Sequence, residues 1–235
     1  MKKPYYQGFT REELRSRLFE HSTPNYMTLI SVIQGLALAV LLQKVFEGEH
    51  GGMLQVKYWI FALISFISII MVFFLYNWFW SVTWSPPDFR ETVLPLVLGL
   101  TQTIPIYHLN QPSVWWASFA LFLLVSIFAL KNTIRLIQRM TSSDCTGEIY
   151  ELCVKEEQKN IKGCFIMGLV ALLAALLSLW GSENVLRDWI FGLVVVSVTG
   201  LMAWSGQNHF LNRIYAMTGL LDKQDGIPND SKTGS

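Results

Sequence analysis

The chain has 235 residues, of which 52% are hydrophobic and only 15% are charged, with a formal net charge of +1. Since about a quarter of the residues of a typical soluble domain are charged, this composition excludes an ordinary soluble protein and indicates one embedded in a lipid bilayer. The charged residues are also segregated into blocks, which leaves long uncharged runs between them.

The uncharged runs predict an all-α, polytopic integral membrane protein with six transmembrane helices. Each run approaches the roughly 20 apolar residues that a helix needs to cross a bilayer. The longest run, 92–130, is interrupted by the polar sequence 108–112 and therefore holds two spans. The six predicted spans are approximately 27–44, 58–80, 91–107, 113–130, 163–181 and 189–204.

The positions of Lys and Arg predict the orientation of the chain. With a cytoplasmic N-terminus, only Lys44, Lys57 and Arg187 of the 18 Lys and Arg residues fall in outside loops, as the positive-inside rule requires. Both termini are then cytoplasmic, and we expect a multi-pass protein of the plasma (inner) membrane. The Trp residues are predicted to form an interfacial belt: Trp59, Trp115, Trp116, Trp180 and Trp189 at the outer surface, and Trp78, Trp80, Trp84 and Trp204 at the inner surface.

The segment 1–26, which precedes the membrane domain 27–204, is predicted to be cytoplasmic. Its sequence Thr10-Arg-Glu-Glu13 is a capping-box pattern and predicts a short amphipathic helix that runs to about His21 on the membrane surface. The sequence at 22–25 predicts a break between this helix and the first span.

Two further segments are predicted to lie in the cytoplasm. The connection 131–162 begins with a basic amphipathic piece, in which Lys131, Arg135 and Arg139 suit an anionic inner leaflet. The rest of this connection is predicted to be a polar helix that is either solvated or turned toward a partner. The C-terminal segment 205–235 is predicted to form an amphipathic helix followed by a disordered tail.

The first span carries polar and small residues near its middle. As a helix, the uncharged stretch 27–43 is about 26 Å long, and Gln34 lies near its midpoint. Ser31, Gly35 and Ala39 form a stripe of small residues that lets another helix approach closely. The Gln34 amide needs a hydrogen-bond partner that lipid cannot supply. We therefore expect this side of the helix to face protein or water.

The third span contains a polar cluster, Thr101, Gln102 and Thr103, followed by Pro105. Because proline has no amide hydrogen, Pro105 leaves the carbonyl of Thr101 without its helical donor, and we expect a kinked or broken helix. Two interpretations remain: a hydroxyl of Thr101 or Thr103 fills the gap within the helix, or the cluster binds a ligand or an ion.

Spans five and six also carry small residues at helical spacing, which predicts close helix packing within one subunit or between subunits. These residues are Cys164, Gly168, Ala171, Ala175 and Ser178 in span five, and Gly192, Thr199 or Gly200, and Ala203 in span six.

No constellation of residues in the sequence supports an enzyme. There is no nucleophile with a base and an orienting group, no P-loop and no glycine-rich dinucleotide motif, so no catalytic residue and no cofactor are expected. The four histidines lie in four different segments, and no Cys or His spacing is typical of a metal site.

The order of features resembles the prokaryotic relatives of the endolysosomal potassium channel. Three short sequences carry the resemblance: Val32-Ile33-Gln34-Gly35, Tyr76-Asn77-Trp78 and Pro105-Ile106. It covers spans one to three and implies a tetramer of six-helix subunits whose first helix lines a pore. Gln34 stands where that family carries an aspartate, and Trp78 and Phe79 stand where its histidines follow the asparagine.

Two functions are compatible with these features. The first is a non-enzymatic, homo-oligomeric pore or ion-channel-like protein, in which the first span lines the path with aliphatic constrictions at Leu38 and Leu42 and hydration sites at Ser31 and Gln34, beside Gly35. In the alternative, the protein is a non-catalytic membrane anchor or sensor subunit that recruits a cytosolic partner. Beyond the lipid bilayer, we expect a homo-oligomer, a possible cytosolic protein partner and no nucleic acid.

Overall fold

The computed structural model describes residues 11–47, 54–82, 89–140, 147–180, 184–205 and 212. Within these residues all regular structure is helical, which confirms the all-α prediction for this part of the chain. A short 3₁₀ turn at Val56–Tyr58 precedes the second helix. The helices are α1 (Arg11–Glu47), α2 (Trp59–Val82), α3 (Phe89–Tyr107), α4 (Pro112–Met140), α5 (Gly147–Trp180) and α6 (Val185–Ser205).

Five helices are long and apolar enough to cross a membrane. They correspond to five of the six predicted spans and comprise Tyr26–Glu47, Trp59–Asn77, Pro112–Gln138, Glu151–Trp180 and Val185–Ser205. The remaining apolar helix, Thr92–Tyr107 in α3, is shorter, at about 24 Å. The crossing of the membrane by α3 therefore stays a prediction.

The helices run alternately up and down, so the bundle has two ends. At the His108 end, which holds the turn after α3, the Lys44 ammonium lies 5.4 Å from the Tyr107 ring centroid, and the Tyr58 ring lies 6.4 Å from that of Phe61. At the opposite end, which we call the Leu136 end, the rings of Tyr26 and Tyr76 lie 6.3 Å apart.

Helix α1 passes through Pro24 without interruption, so the break predicted at 22–25 is wrong. Proline removes a single helical hydrogen bond, and a helix of 37 residues retains the rest. The Thr28 hydroxyl donates to the Pro24 carbonyl at 2.9 Å and so ties the proline to the following turn. Residues 1–10 lie outside the described part of the chain.

The small residues of α5 pack within one subunit, against α4, with which α5 makes the most extensive helix pair of the described chain. Ala171 and Ala175 are buried, and a Cβ on Gly168 would lie 4.0 Å from the Leu123 Cβ. The predicted close packing of span five is thus confirmed, and its intrasubunit form is the one observed.

Aromatic side chains form the core at the His108 end. Trp115 and Trp116 are completely buried, with the Trp115 ring centroid 4.6 Å from that of Phe61 and 4.9 Å from that of Phe119. The predicted place of these two residues in an interfacial belt is therefore wrong, because α4 turns this face toward α2 and α6. Trp59, Trp180 and Trp204 are exposed, and their position at a membrane surface stays a prediction.

The predicted connection 131–162 is built mostly from the extended ends of α4 and α5. Leu136 and Ile137 of α4 are buried with Cys153 of α5, together with Tyr26 and Ile30 of α1. The polar helix predicted to face solvent or a partner therefore packs one face against the chain itself. Lys131 and Arg135 are exposed on α4, while the side chain of Arg139 lies outside the description.

Candidate functional site

Gln34 faces the interior of the subunit. Its side chain is 5% exposed, and it lies on the same buried face of α1 as Ile30, Ala37 and Leu41, which packs against α2 and α3. The Oε1 atom is buried and has no hydrogen-bond partner among the described residues. The expectation that this amide points to an interior surface is thus met, but in this part of the chain no donor lies within hydrogen-bonding distance of its oxygen.

The small-residue stripe of α1 points in another direction. Ser31, Gly35 and Ala39 are all exposed, and a Cβ added at Gly35 would meet no atom within 4 Å. Leu42, which is 49% exposed, continues this surface. We call these four residues, with the half-buried Leu38 between them, the α1 face.

The structure thus divides the residues that were predicted to line a pore. Ser31, Gly35 and Leu42 share the α1 face, whereas Gln34 lies on the buried side of the helix. The Ser31 hydroxyl donates to the Met27 carbonyl at 2.8 Å, so its oxygen remains available only as an acceptor.

The polar cluster of α3 is satisfied largely within the bundle. The Thr101 hydroxyl lies 3.0 Å from the Val97 and Leu98 carbonyls, and the Thr103 hydroxyl donates to the Leu100 carbonyl at 2.8 Å. Both hydroxyls are thus satisfied within their own helix, but neither bond goes to the carbonyl of Thr101, so the gap left by Pro105 is not filled in the way that the first interpretation expected. Helix α3 is not broken, since Pro105 lies so close to its end that only the last turn loses a donor.

Gln102, the middle member of the cluster, is 1% exposed and reaches a neighbouring helix. Its Nε2 donates to the Ser68 hydroxyl of α2 at 3.3 Å, while its Oε1 has no hydrogen-bond partner within the segments that the structure describes. The residue therefore joins α2 and α3 in the interior, away from the α1 face.

Sequence reasoning missed a buried charged cluster at the His108 end. Asp188 is 4% exposed and accepts a hydrogen bond from Trp116 Nε1 at 3.2 Å. Arg187 lies beside it, with Nη2 3.6 Å from Asp188 Oδ1, and donates to the Leu177 carbonyl at 2.8 Å and to the Ser178 hydroxyl at 2.9 Å. The hydrogen bonds of this cluster join α4, α5 and α6.

A signal for this cluster was present in the sequence. Asn184 precedes α6, and its side-chain oxygen accepts from the Arg187 amide at 3.1 Å, which is the geometry of a helix N-cap. An acidic residue in the first turn is favoured by the helix dipole, and Asp188 occupies that turn. Asn184 and Asp188 together predict where α6 begins, but they do not predict which helix buries the Asp188 carboxylate.

No three His, Cys, Asp or Glu side chains lie close enough to hold a metal ion in the helices that the structure describes. Comparisons with protein-family models, curated proteins and solved structures found no match to this chain. The fold and the α1 face are therefore interpreted from their own geometry.

Proposed function

We propose that the protein is a non-enzymatic integral membrane protein that self-associates through the α1 face and forms a pore or ion-channel-like path along it. The observation that carries the proposal is the open space at Gly35, flanked one turn away by Ser31 and Ala39. Small residues four positions apart allow the backbones of two membrane helices to approach closely. Nothing in the described subunit uses this stripe.

The composition of the α1 face suits a narrow path. Ser31 offers an acceptor oxygen. If several subunits surround an axis, their Leu38 and Leu42 side chains form two apolar constrictions, which can close the path by excluding water. In this arrangement Gln34 does not line the path, because it is buried against α2 and α3. The resemblance of spans one to three to the potassium-channel relatives favours the same role for the first helix.

The choice of α1 over α6 rests on the neighbours of its glycine. Gly200 of α6 is also exposed, with no atom within 4 Å of a Cβ. Its neighbours at four residues are the bulky Val196 and Trp204, the latter 69% exposed. These side chains hold a second helix away, so α6 has no continuous small stripe at Gly200.

Gly35→Leu, with Gly200→Leu as its matched control, tests the proposal. The oligomeric state of the purified protein would be measured by native mass spectrometry, and cation flux would be measured in liposomes. We expect an oligomer with flux in the wild type and in Gly200→Leu, and monomers without flux in Gly35→Leu. A monomeric wild type, or flux no greater than in protein-free liposomes, would overturn the proposal. Stoichiometric co-purification of a soluble protein would instead favour the membrane anchor.

A further inference from the structure

A cavity that is partly open to its surroundings lies between α2, α3, α4, α5 and α6. On α4 its lining extends from Phe119 to Thr133, which corresponds to about 21 Å along the helix. A cavity that extends this far along a helix has the shape of an elongated ligand.

Most of the lining is apolar. Met71, Leu98, Phe122, Leu123, Met167 and Val195 contribute to it from five helices. Methionine side chains adapt their shape to a ligand more readily than branched ones do. The main body of the cavity therefore fits a hydrocarbon chain.

The lining changes toward the Leu136 end, where Glu157 contributes a carboxyl group. Glu157 is 2% exposed, and its Oε2 has no hydrogen-bond partner among the described residues. The Asn160 side chain of the same helix interacts favourably with the carboxyl group through a hydrogen bond. A buried carboxyl group in such surroundings stays ionised only when a cation or several hydrogen-bond donors compensate its charge.

No basic side chain in the described residues pairs with Glu157. The nearby Lys159 ammonium instead pairs with Glu156, at 2.9 Å from its Oε2. Tyr76 of α2 also lines the cavity beside Glu157, with the Tyr26 ring 6.3 Å from its own. Aromatic rings beside a carboxylate are a common environment for an ammonium group.

The hydroxyl groups of the lining also present acceptors. The hydroxyls of Ser126 and Thr133 donate to carbonyls of their own helix, Phe122 at 2.9 Å and Ala129 at 3.2 Å, which leaves only lone pairs for a ligand. The Thr199 hydroxyl lies 2.8 Å from the Val195 carbonyl and 3.2 Å from Met167 Sδ, so its hydrogen is also used. The Ser68 hydroxyl donates to the Ser65 carbonyl at 2.7 Å and already accepts from Gln102 Nε2 at 3.3 Å. A ligand for this cavity must therefore bring hydrogen-bond donors.

We propose that this cavity binds an amphiphile with a single hydrocarbon chain and a protonated amine head, with the amine at Glu157 and the chain among α2, α4, α5 and α6. An anionic head would meet the carboxylate and the acceptor hydroxyls with no donor to compensate. An alcohol head brings one donor and no charge, so it leaves the carboxylate uncompensated. The site is separate from the α1 face.

Three probes with the same 16-carbon chain test the head group: hexadecylamine, hexadecanol and hexadecanoic acid. Binding to the wild-type protein would be measured by native mass spectrometry from neutral maltoside micelles. A diazirine derivative of the amine would locate the bound chain by photolabelling. We expect one amine per subunit, held at least about tenfold more tightly than the other two probes, and labels on Phe122, Met167 or Met202.

Glu157→Gln and Glu156→Gln form a matched pair of variants. Both carboxyl groups are buried on the same turn of α5, but only Glu157 lines the cavity. We expect Glu157→Gln to weaken amine binding about tenfold and to spare hexadecanol binding, and Glu156→Gln to leave both unchanged. Equal binding of the three probes to the wild type, labels confined to outward residues such as Phe165 or Leu176, or equal effects of the two variants would overturn the proposal. The probe comparison needs no variant to fold.

Discussion

Trp115 and Trp116 stand next to each other in α4 and are equally buried, but they differ in one hydrogen bond. The indole of Trp116 donates to Asp188 at 3.2 Å, while Trp115 Nε1 has no hydrogen-bond partner in the described part of the chain. Replacing either residue by phenylalanine removes a similar volume. The two substitutions therefore separate the contribution of the hydrogen bond from that of packing.

We expect Trp116→Phe to lower the free energy of unfolding by about 1–3 kcal/mol more than Trp115→Phe does. The reason is that the Asp188 carboxylate, which is buried, loses a donor in one variant and nothing in the other. Unfolding by sodium dodecyl sulfate in mixed micelles would measure the difference. Equal losses would mean that Arg187 and the remaining neighbours of Asp188 satisfy it without Trp116.

At the scale of residues, the sequence predicts which side chains share a helix face but not what each face meets. The spacing of Ser31, Gly35 and Ala39 correctly places them on one stripe, and the chemistry of Gln34 correctly demands an interior site. The two observations refer to different sides of α1. Only the position of α2 and α3 decides which side is covered, and that position depends on contacts distant in sequence.

At the scale of elements, Gly192 sets the distance between α6 and α2. A Cβ at this position would overlap Ile60 and would lie 3.3 Å from Ile64. Gly200, eight residues further along the same helix, has open space instead. Substitutions at these two glycines therefore test whether α6 approaches α2 closely at Gly192, with Gly200 as a control on the same helix.

Gly192→Ala is expected to reduce the free energy of unfolding by about 1–3 kcal/mol, because Ile60 is fully buried and cannot move away without disturbing its neighbours. Gly200→Ala is expected to leave stability unchanged or to raise it by up to about 1 kcal/mol, since alanine favours the helix and meets no atom. Both values would come from the same detergent titration. A neutral Gly192→Ala would show that α6 lies farther from α2 than described.

The elements themselves could be predicted to different degrees. The spans could be predicted because the length of an uncharged run can be read from the local sequence. The packing face of α5 could be predicted because a stripe of small residues in a membrane helix is typical of close helix packing. The break predicted at 22–25 gave too much weight to Pro24, since a proline removes one helical hydrogen bond and the remaining bonds hold a long helix together. Helical structure in the extensions of α4 and α5 was predicted, but their burial was not, because it depends on contacts with Tyr26 and Ile30 of a distant helix.

On the scale of the whole molecule, the unpredicted features are those that need the assembled bundle. The cavity exists only where five helices leave space, and Glu157, which lines it, is buried in the assembled bundle. In the sequence this residue stands in a charged stretch that is typical of a solvated helix. Side chains that are polar but buried therefore carry the functional information that a hydropathy pattern omits.

The topology depends on α3, which is the shortest apolar helix of the bundle. It packs beside α1 and α4, and the turn that follows it lies at the same end as the N-terminus of α2. If the bundle is inserted as described, a helix of about 24 Å crosses most of a hydrocarbon layer of about 30 Å. Its two prolines lie inside the helix, where they remove donors without ending it.

Single cysteines would test this topology in a chain whose own cysteines are replaced by alanine. The exposed positions Gln55 and Gln111 lie at the His108 end, and the exposed Lys155 lies at the Leu136 end. With the orientation predicted by the positive-inside rule, an impermeant maleimide should label Gln55→Cys and Gln111→Cys in intact cells, and Lys155→Cys only after permeabilisation. If α3 did not cross, Gln111→Cys would be protected and Lys155→Cys labelled. Protection of Gln55→Cys and Gln111→Cys together, with free labelling of Lys155→Cys, would instead mean that the whole bundle is inverted.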